Sequence, residues 1–198
     1  MTLILASQSA GRRAMLNAAG VPHDAMAAGV DEDAAKASLR AGGISARDLA
    51  DALAELKAVK LSRRHPAALV LGCDQTLALD DGRLLDKAPD RAAAAAQLRA
   101  LSGRTHSLYS AAVIAEGGEA VWRSVDRAKM TVRPLSDAFI DDYLDMDYAN
   151  AAGCVGCYRI EGPGAQLFSR VEGSQFTIIG LPLLPLLDYL RIRGMLTS

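Results

Sequence analysis

Short apolar runs alternate with polar, glycine-containing breaks along this chain, a pattern typical of a mixed α/β fold. Runs of strand length or with strand-like alternation predict strands at residues 3–5, 21–30 (or an extended segment), 68–71, 77–79, 107–115, 120–133 and 165–171. Helical periodicity predicts helices at residues 14–19, from Ser45 to the His65-Pro66 pair, and at 137–144 and 183–193, and an alanine-rich composition predicts a helix at 91–101. Since neither a repeat nor a linker interrupts this pattern, we expect residues 1–198 to form one domain.

The first break in the pattern, residues 7–13, joins a strand to the start of a helix. Helix N-termini attract anions because their first N–H groups lack intrahelical partners. Ser7 and Ser9 add hydroxyl groups, and Arg12 and Arg13 add guanidinium groups. The segment therefore predicts a phosphate site, with a simple capping role for Ser9 as the alternative.

Three charged residues are predicted at positions where they could contact a ligand. Asp74 follows an apolar run and is predicted on a turn just past a strand end, where α/β sheets hold ligands; an ordinary Asx turn is the alternative. Lys87 precedes Ala88-Pro89 and is predicted on a stiff loop, unless it is simply solvated. Lys57 shares the apolar stripe of its helix, so it needs either a bound anion or a path along the surface to water.

Carboxylates suggest a site for a hard divalent cation. Asp31, Glu32 and Asp74 supply the oxygen ligands that Mg²⁺ shares with substrate phosphates. Combined with the basic side chains, this donor set suits a nucleoside triphosphate. The histidines at 23, 65 and 106 lack metal-ligand spacing, and the sequence contains no Walker or GxGxxG loop.

Composition argues against several classes of binding partner and location. The formal net charge of −1 argues against a nucleic-acid groove or a lipid-binding surface. The longest apolar stretch, residues 176–187, contains two prolines and is too short to span a bilayer. With no signal peptide pattern and an odd number of cysteines, Cys73, Cys154 and Cys157, we expect a cytoplasmic protein with small buried thiols.

A series of motifs resembles the Maf family of nucleoside triphosphate pyrophosphatases. The matching segments, in the family's order, are LASQSAGRR, LAELKA, GCDQT, LLDKAPD, LSGRTH, YRIEG and GLPLLPLLDYL. The resemblance implies an α/β fold like that of the inosine triphosphatases, with a central twisted mixed β-sheet and two lobes around a deep cleft. It also implies a homodimer, and a reaction in which water attacks the α-phosphorus in the presence of Mg²⁺ or Mn²⁺.

The resemblance assigns roles to individual residues. Ser7, Ser9, Arg12 and Arg13 match the phosphate loop, Lys57 and Lys87 the triphosphate-binding lysines, Asp74 the general base, and Glu32 its companion metal ligand. Gly11, Gln75 and Glu161 match base-selective positions. Gln75 and Glu161 are similar to the 7-methylguanosine triphosphatase subgroup, whereas Ala10-Gly11 replaces that subgroup's Pro-Trp. The preferred base (guanine, methylated guanine or a pyrimidine) therefore stays open.

Two other functions compete with this hypothesis. The family is also associated with arrest of cell division, so a nucleotide-binding regulator with a cell-division protein as partner is the main alternative. An aspartyl-phosphate phosphatase built on Asp74 is the second. It is disfavoured because Thr76 replaces the usual second aspartate.

Overall fold

The computed structural model describes residues 2–197 and has a mixed α/β architecture. Within that range the strands are β1 Leu3–Ala6, β2 Asp24–Ala25, β3 Leu69–Leu79, β4 Leu84–Leu85, β5 Thr105–Glu116, β6 Glu119–Val132 and β7 Phe168–Glu172. The helices are α1 Ala10–Ala18, α2 Glu32–Ala41, α3 Ala46–Ser62, α4 Arg91–Leu101, α5 Asp137–Ala151, α6 Gln175–Ile179 and α7 Leu183–Ile192. Short 3-10 turns cover Val155–Cys157 and Pro163–Leu167.

All these strands belong to one mixed sheet. Its order is β2-β1-β3-β5-β6-β7, and β4 pairs with β3. β1 runs parallel to β2 and to β3, whereas β7 is antiparallel to β6 and β4 is antiparallel to β3. The predicted α/β class with a central mixed sheet is thus confirmed.

The chain divides into two compact units. The first comprises the segment up to Gln75, Tyr109–Asp126 and the segment from Gly180 onward; the second comprises Thr76–Leu108 and Arg127–Ile179. The long strands β3, β5 and β6 therefore contribute residues to both units. The organisation of residues 1–198 as one domain stays a prediction.

Each unit has an apolar core of its own. In the first, small side chains of α3 pack on β5, with Ala50, Ala54 and Ala58 against Ala111 and Val113. In the second, α4 and α5 pack on the sheet through Leu98, Leu101, Ile140, Tyr143 and Leu144. Within residues 2–197, no helix is both long and apolar enough to cross a membrane.

Two helices were not predicted. α2 follows the acidic cluster, buries none of its residues and has Leu39 as its one large apolar side chain, so its sequence contains no run of large apolar residues at helical spacing. α6 is only five residues long and lies in a stretch predicted simply as core. The segment predicted as a strand at 165–171 instead begins with a 3-10 turn and becomes strand β7 only at Phe168.

Candidate active site

The segment between β1 and α1 has the features of an anion-binding loop. Ser9 is the N-cap of α1, and its Oγ accepts a hydrogen bond from the Arg12 backbone N–H at 3.4 Å. The Ser9 N–H donates in turn to Ser7 Oγ at 3.2 Å. Ser9 therefore has the capping role that was the alternative to a phosphate site, and phosphate binding by this loop stays a prediction. Gly11 lies in the first turn, where it adds no side chain.

The two adjacent arginines have different surroundings. Arg12 is half-buried, and its guanidinium group donates to the carbonyl oxygens of Cys73 at 3.1 Å and Gly180 at 2.8 Å. It also donates to Ser7 Oγ at 3.2 Å. Arg13 is exposed. The two residues therefore offer different chemistry to a ligand.

Asp74 lies within a strand and not on a turn. The prediction of a turn at residues 72–76 is wrong, because β3 continues from Leu69 to Leu79. Its parallel neighbour β1 pairs only as far as Ala6 with Gly72. Asp74 therefore stands two residues beyond the carboxyl end of β1, and the reason for expecting a ligand group there is retained.

A close contact between α3 and β3 brings Lys57 to Asp74. A Cβ atom on Gly72 would lie 2.1 Å from the carbonyl oxygen of Ala54 and 2.7 Å from the backbone nitrogen of Ala58. Only glycine permits this approach of helix to strand. Gly72 is therefore a packing residue, and the residues on either side of the contact can form the ion pair described next.

Lys57 is the cation between two carboxylates. Its Nζ lies 2.7 Å from Asp74 Oδ1 and 3.0 Å from Glu32 Oε2. The side chains of Lys57 and Asp74 are each 7% exposed, whereas that of Glu32 is 43% exposed. The prediction that Lys57 points inward and needs a partner is confirmed, and the alternative of a path along the surface to water is wrong.

Glu32 is the member of the acidic cluster that reaches this site. Asp31 caps α2 instead, since its Oδ1 accepts from the Ala34 N–H at 3.0 Å. The cap places Glu32 at the first position of the helix, with Asp33 exposed beside it. One capping bond thus decides which of three adjacent carboxylates faces Lys57.

The carboxylates fit a hard divalent cation as partial ligands. Asp74 Oδ2 is buried and has no hydrogen-bond partner among residues 2–197, so it is available as an oxygen ligand. Within the same residues, no group of three or more His, Cys, Asp or Glu side chains could hold a metal. A Mg²⁺ or Mn²⁺ ion here would complete its coordination with water and substrate oxygens, as Mg²⁺ commonly does.

Gln75, next to Asp74, points to the other side of β3 because side chains alternate along a strand. Its Nε2 donates to Ser110 Oγ on β5 at 2.9 Å, and Ser110 is fully buried. This contact fixes the orientation of the Gln75 amide. Ser110 has no sequence signal of its own, since an isolated serine in a strand is ordinary.

Lys87 and Glu161 belong to the second unit. Both side chains are exposed, and the charge of each shifts the pKa of the Cys154 thiol. Burial raises the pKa of Cys154, the Glu161 carboxylate raises it further, and the charges of Arg159 and Lys87 lower it. The two predicted residues are therefore near the same thiol, and their placement around the nucleotide stays a prediction.

The segment that carries Glu161 is held by buried polar contacts missed in the sequence. Asp147, 2% exposed as a side chain, accepts from Arg159 Nη2 at 2.7 Å. The Tyr158 hydroxyl lies 2.6 Å from Nε2 of the buried His106. An aspartate on a helix and a histidine on a strand carry no signal of pairing with a loop so distant in sequence.

The cysteines are free thiols. Cys73 and Cys157 are buried and Cys154 is half-buried, which confirms the expectation of small packed thiols for the first two. Burial raises the pKa of Cys73 to about 11. None of these thiols has the lowered pKa of a nucleophilic cysteine.

Comparison with known proteins tests the resemblance. The model of the family described as "Maf-like protein" matches residues 2–193. The chain belongs to this family. A Sphingopyxis alaskensis protein named "Nucleoside triphosphate pyrophosphatase" is 55% identical over 195 residues, covering 98% of each chain. A Caulobacter vibrioides protein of the same name is 53% identical, covering 98% of this chain and 96% of its own.

A further relative of this Maf-family chain has a more specific name. The "7-methyl-GTP pyrophosphatase" of Mesorhizobium japonicum is 52% identical over 192 residues, covering 97% of this chain and 96% of its own. Relatives with the general name and with the specific one are therefore about equally similar to this chain. Overall similarity does not select the base.

Proposed function

We propose that this Maf-family protein is a nucleoside triphosphate pyrophosphatase that hydrolyses the α–β phosphoanhydride bond to a nucleoside monophosphate and pyrophosphate. The observation that carries the proposal is the buried Lys57–Asp74 pair, with Glu32 beside it and one Asp74 oxygen that has no hydrogen-bond partner in the described part of the chain. The names of relatives that match nearly the whole chain support it. The proposed role is the removal of non-canonical or modified nucleotides in the cytoplasm.

Asp74 is the proposed base. Lys57 occupies Oδ1, so Oδ2 is the oxygen that can orient a water molecule and accept its proton. The water oxygen then forms a bond to the α-phosphorus while the bond from that phosphorus to the bridging oxygen breaks. The electron pair leaves on pyrophosphate. Asp74 contributes mainly through its position, which the ion pair to Lys57 fixes.

Cationic groups stabilise the charge on the departing pyrophosphate. The proposed contributors are the N-terminus of α1, Arg13, Lys57 and Lys87, with Ser7 and Ser9 as hydroxyl donors. Glu32 and Asp74 would hold Mg²⁺ or Mn²⁺, which supplies Lewis-acid polarisation of the phosphate when bound. This donor set matches a triphosphate better than a monophosphate, because it supplies several cations.

Gly11, Gln75 and Glu161 are the proposed base-selective residues. The Glu161 carboxylate accepts hydrogen bonds and donates none, so it favours a base edge with neighbouring N–H donors, as guanine has. Gly11 offers no aromatic ring on which a methylated base could stack. We therefore propose guanine nucleotides as the preferred class, and a homodimer as the assembly.

A pyrophosphate-release assay tests the function. The purified protein is incubated with GTP, 7-methyl-GTP, UTP or dTTP, and with Mg²⁺, Mn²⁺ or EDTA. We expect release of pyrophosphate with a metal and none with EDTA. Asp74→Asn should bind nucleotide but lose turnover by about 10³-fold or more, whereas the control Asp33→Asn, at an exposed carboxylate, should keep it.

Two outcomes would contradict the proposal. Orthophosphate as the first product would show cleavage at a different bond. Binding of every nucleotide without release of any product would favour the regulator that acts through a protein partner.

A further inference from the structure

Arg12 joins three separate segments of the first unit. Its Nε donates to the carbonyl oxygen of Gly180 at 2.8 Å. Its Nη1 donates to the carbonyl oxygen of Cys73 at 3.1 Å and to Ser7 Oγ at 3.2 Å. The guanidinium group therefore links the loop after β1, the strand that carries Asp74, and the segment that leads into α7.

The contact with Cys73 acts directly on Asp74. The Cys73 carbonyl belongs to the peptide group that ends at the Asp74 nitrogen, and this group is planar. Lys57 Nζ lies 3.5 Å from the same carbonyl oxygen. Two cations thus hold the peptide on one side of Asp74, while Lys57 also holds the Asp74 carboxylate.

Gly180 gives independent evidence that the guanidinium group has a fixed place. Gly180 is buried and has φ +117°, a region that favours glycine. A Cβ atom there would lie 3.3 Å from Arg12 Nε and 3.4 Å from Nη2. The chain therefore has a residue without a side chain where the plane of the guanidinium group lies against the backbone.

Arg13 provides the contrast. It is the next residue of α1, so its side chain leaves the helix about 100° further round. It is exposed, and its backbone N–H bonds within the helix to the Ser9 carbonyl at 3.2 Å. A ligand can reach Arg13 without breaking a bond that maintains the site.

We propose that Arg12 is a positioning residue, which holds the Cys73–Asp74 peptide and the Ser7 hydroxyl in place, and that Arg13 is the phosphate-binding member of the pair. The inference rests on the proposed function. Arg12 acts through the forked geometry of its guanidinium group, because one plane directs separate N–H donors at separate acceptors. Arg13 acts through charge, which a lysine also supplies.

Matched lysine variants separate the two roles. Arg12→Lys keeps the charge but loses the fork, so kcat should fall about 100-fold, the cost of a small misplacement of a catalytic group. Its Kd for a non-hydrolysable α,β-imido GTP should change less than about threefold. Arg13→Ala should raise that Kd about tenfold or more, and Arg13→Lys should restore most of it.

Two further measurements keep the test decisive if a variant folds poorly. Gly180→Ala adds a methyl group against the guanidinium group at a φ of +117°, so it should lower kcat and the melting temperature with little change in Kd. Arg12→Ala should regain part of its kcat when methylguanidinium is added. Thermal melting of each variant establishes that it is folded.

Specific results would overturn the inference. These are a Kd effect of Arg12→Lys as large as that of Arg13→Ala, or a kcat for Arg12→Lys close to that of the unchanged protein. A protein that releases no pyrophosphate even without substitution would instead contradict the proposed function. The two failures are therefore distinguishable.

Discussion

Replacing Lys57 by methionine tests how far the buried ion pair stabilises the site. Methionine has a similar length and no charge, so the substitution keeps most of the packing of α3. It leaves the Asp74 carboxylate, 7% exposed, without the cation at 2.7 Å from its Oδ1. Asp74 Oδ2 already has no hydrogen-bond partner within residues 2–197, so the other carboxylate oxygen does not compensate for the loss.

The expected loss follows from burial. Removing one partner of a buried ion pair costs about 3–5 kcal/mol, because the remaining charge is neither solvated nor paired. Glu32 adds little to this figure, since its side chain is 43% exposed and water screens its charge. The total stability of a protein is roughly 5–15 kcal/mol, so Lys57→Met should shift the urea midpoint clearly at pH 7.

Two companion variants isolate the cause. Lys60→Met makes the same change on the same helix at an exposed lysine and should cost no more than about 1 kcal/mol. The double variant Lys57→Met/Asp74→Leu removes both charges and should lose less stability than Lys57→Met alone. The reasoning is refuted if Lys57→Met unfolds at the same urea concentration as Lys60→Met.

The remaining predictions concern the second unit. Burial lowers the pKa of His106 from 6.5 to about 4, so the unfolded state binds the proton first as pH falls. The free energy of unfolding should therefore fall by up to about 3 kcal/mol between pH 6.5 and pH 4. Urea midpoints measured at pH 7 and pH 4.5 should differ less for His106→Phe than for the unchanged protein. An equal difference in both proteins contradicts the prediction. Arg159→Met removes the cation beside the buried Asp147, which keeps a hydrogen bond from Asn150 Nδ2 at 2.9 Å, and should cost up to roughly 3 kcal/mol in urea unfolding. Arg159, which pairs with Asp147, lies close to Glu161 in the sequence, so Asp147→Asn should change the ratio of kcat/KM for GTP to that for UTP in the same direction as Glu161→Gln. Changes in opposite directions would show that the ion pair has no part in base selection.

Two helices could be predicted almost to the residue. α4 has the predicted bounds because its alanine-rich sequence favours a helix, and α7 ends within one residue of them because it buries one face regularly. α5, predicted at 137–144, instead continues to Ala151. The pair β5 and β6 could be predicted from alternation around Gly117-Gly118. α2 could not, since Leu39 is its one large apolar residue and a single such residue gives no repeating pattern.

The wrong prediction at residues 72–76 has a different origin. A glycine followed by polar residues is typical of a turn. Gly72 is instead required by the close approach of α3, and Asp74 and Gln75 occupy a strand beyond the end of its parallel neighbour. Gly72 is thus needed for tertiary packing and not for a turn, and a local sequence pattern cannot show which of the two applies.

The residues of the candidate site could be named from sequence more readily than their partners. An inward lysine on an apolar stripe indicates that an acidic partner or an anion must exist, but only the contact of α3 with β3 selects Asp74. The partners of Arg12 are still less predictable, because Cys73 and Gly180 accept through backbone carbonyls, which every residue has. A motif can therefore place two arginines side by side and give no sign that one of them reaches backbone atoms 61 and 168 positions away. Substitution, and not further sequence comparison, is the means of separating their roles.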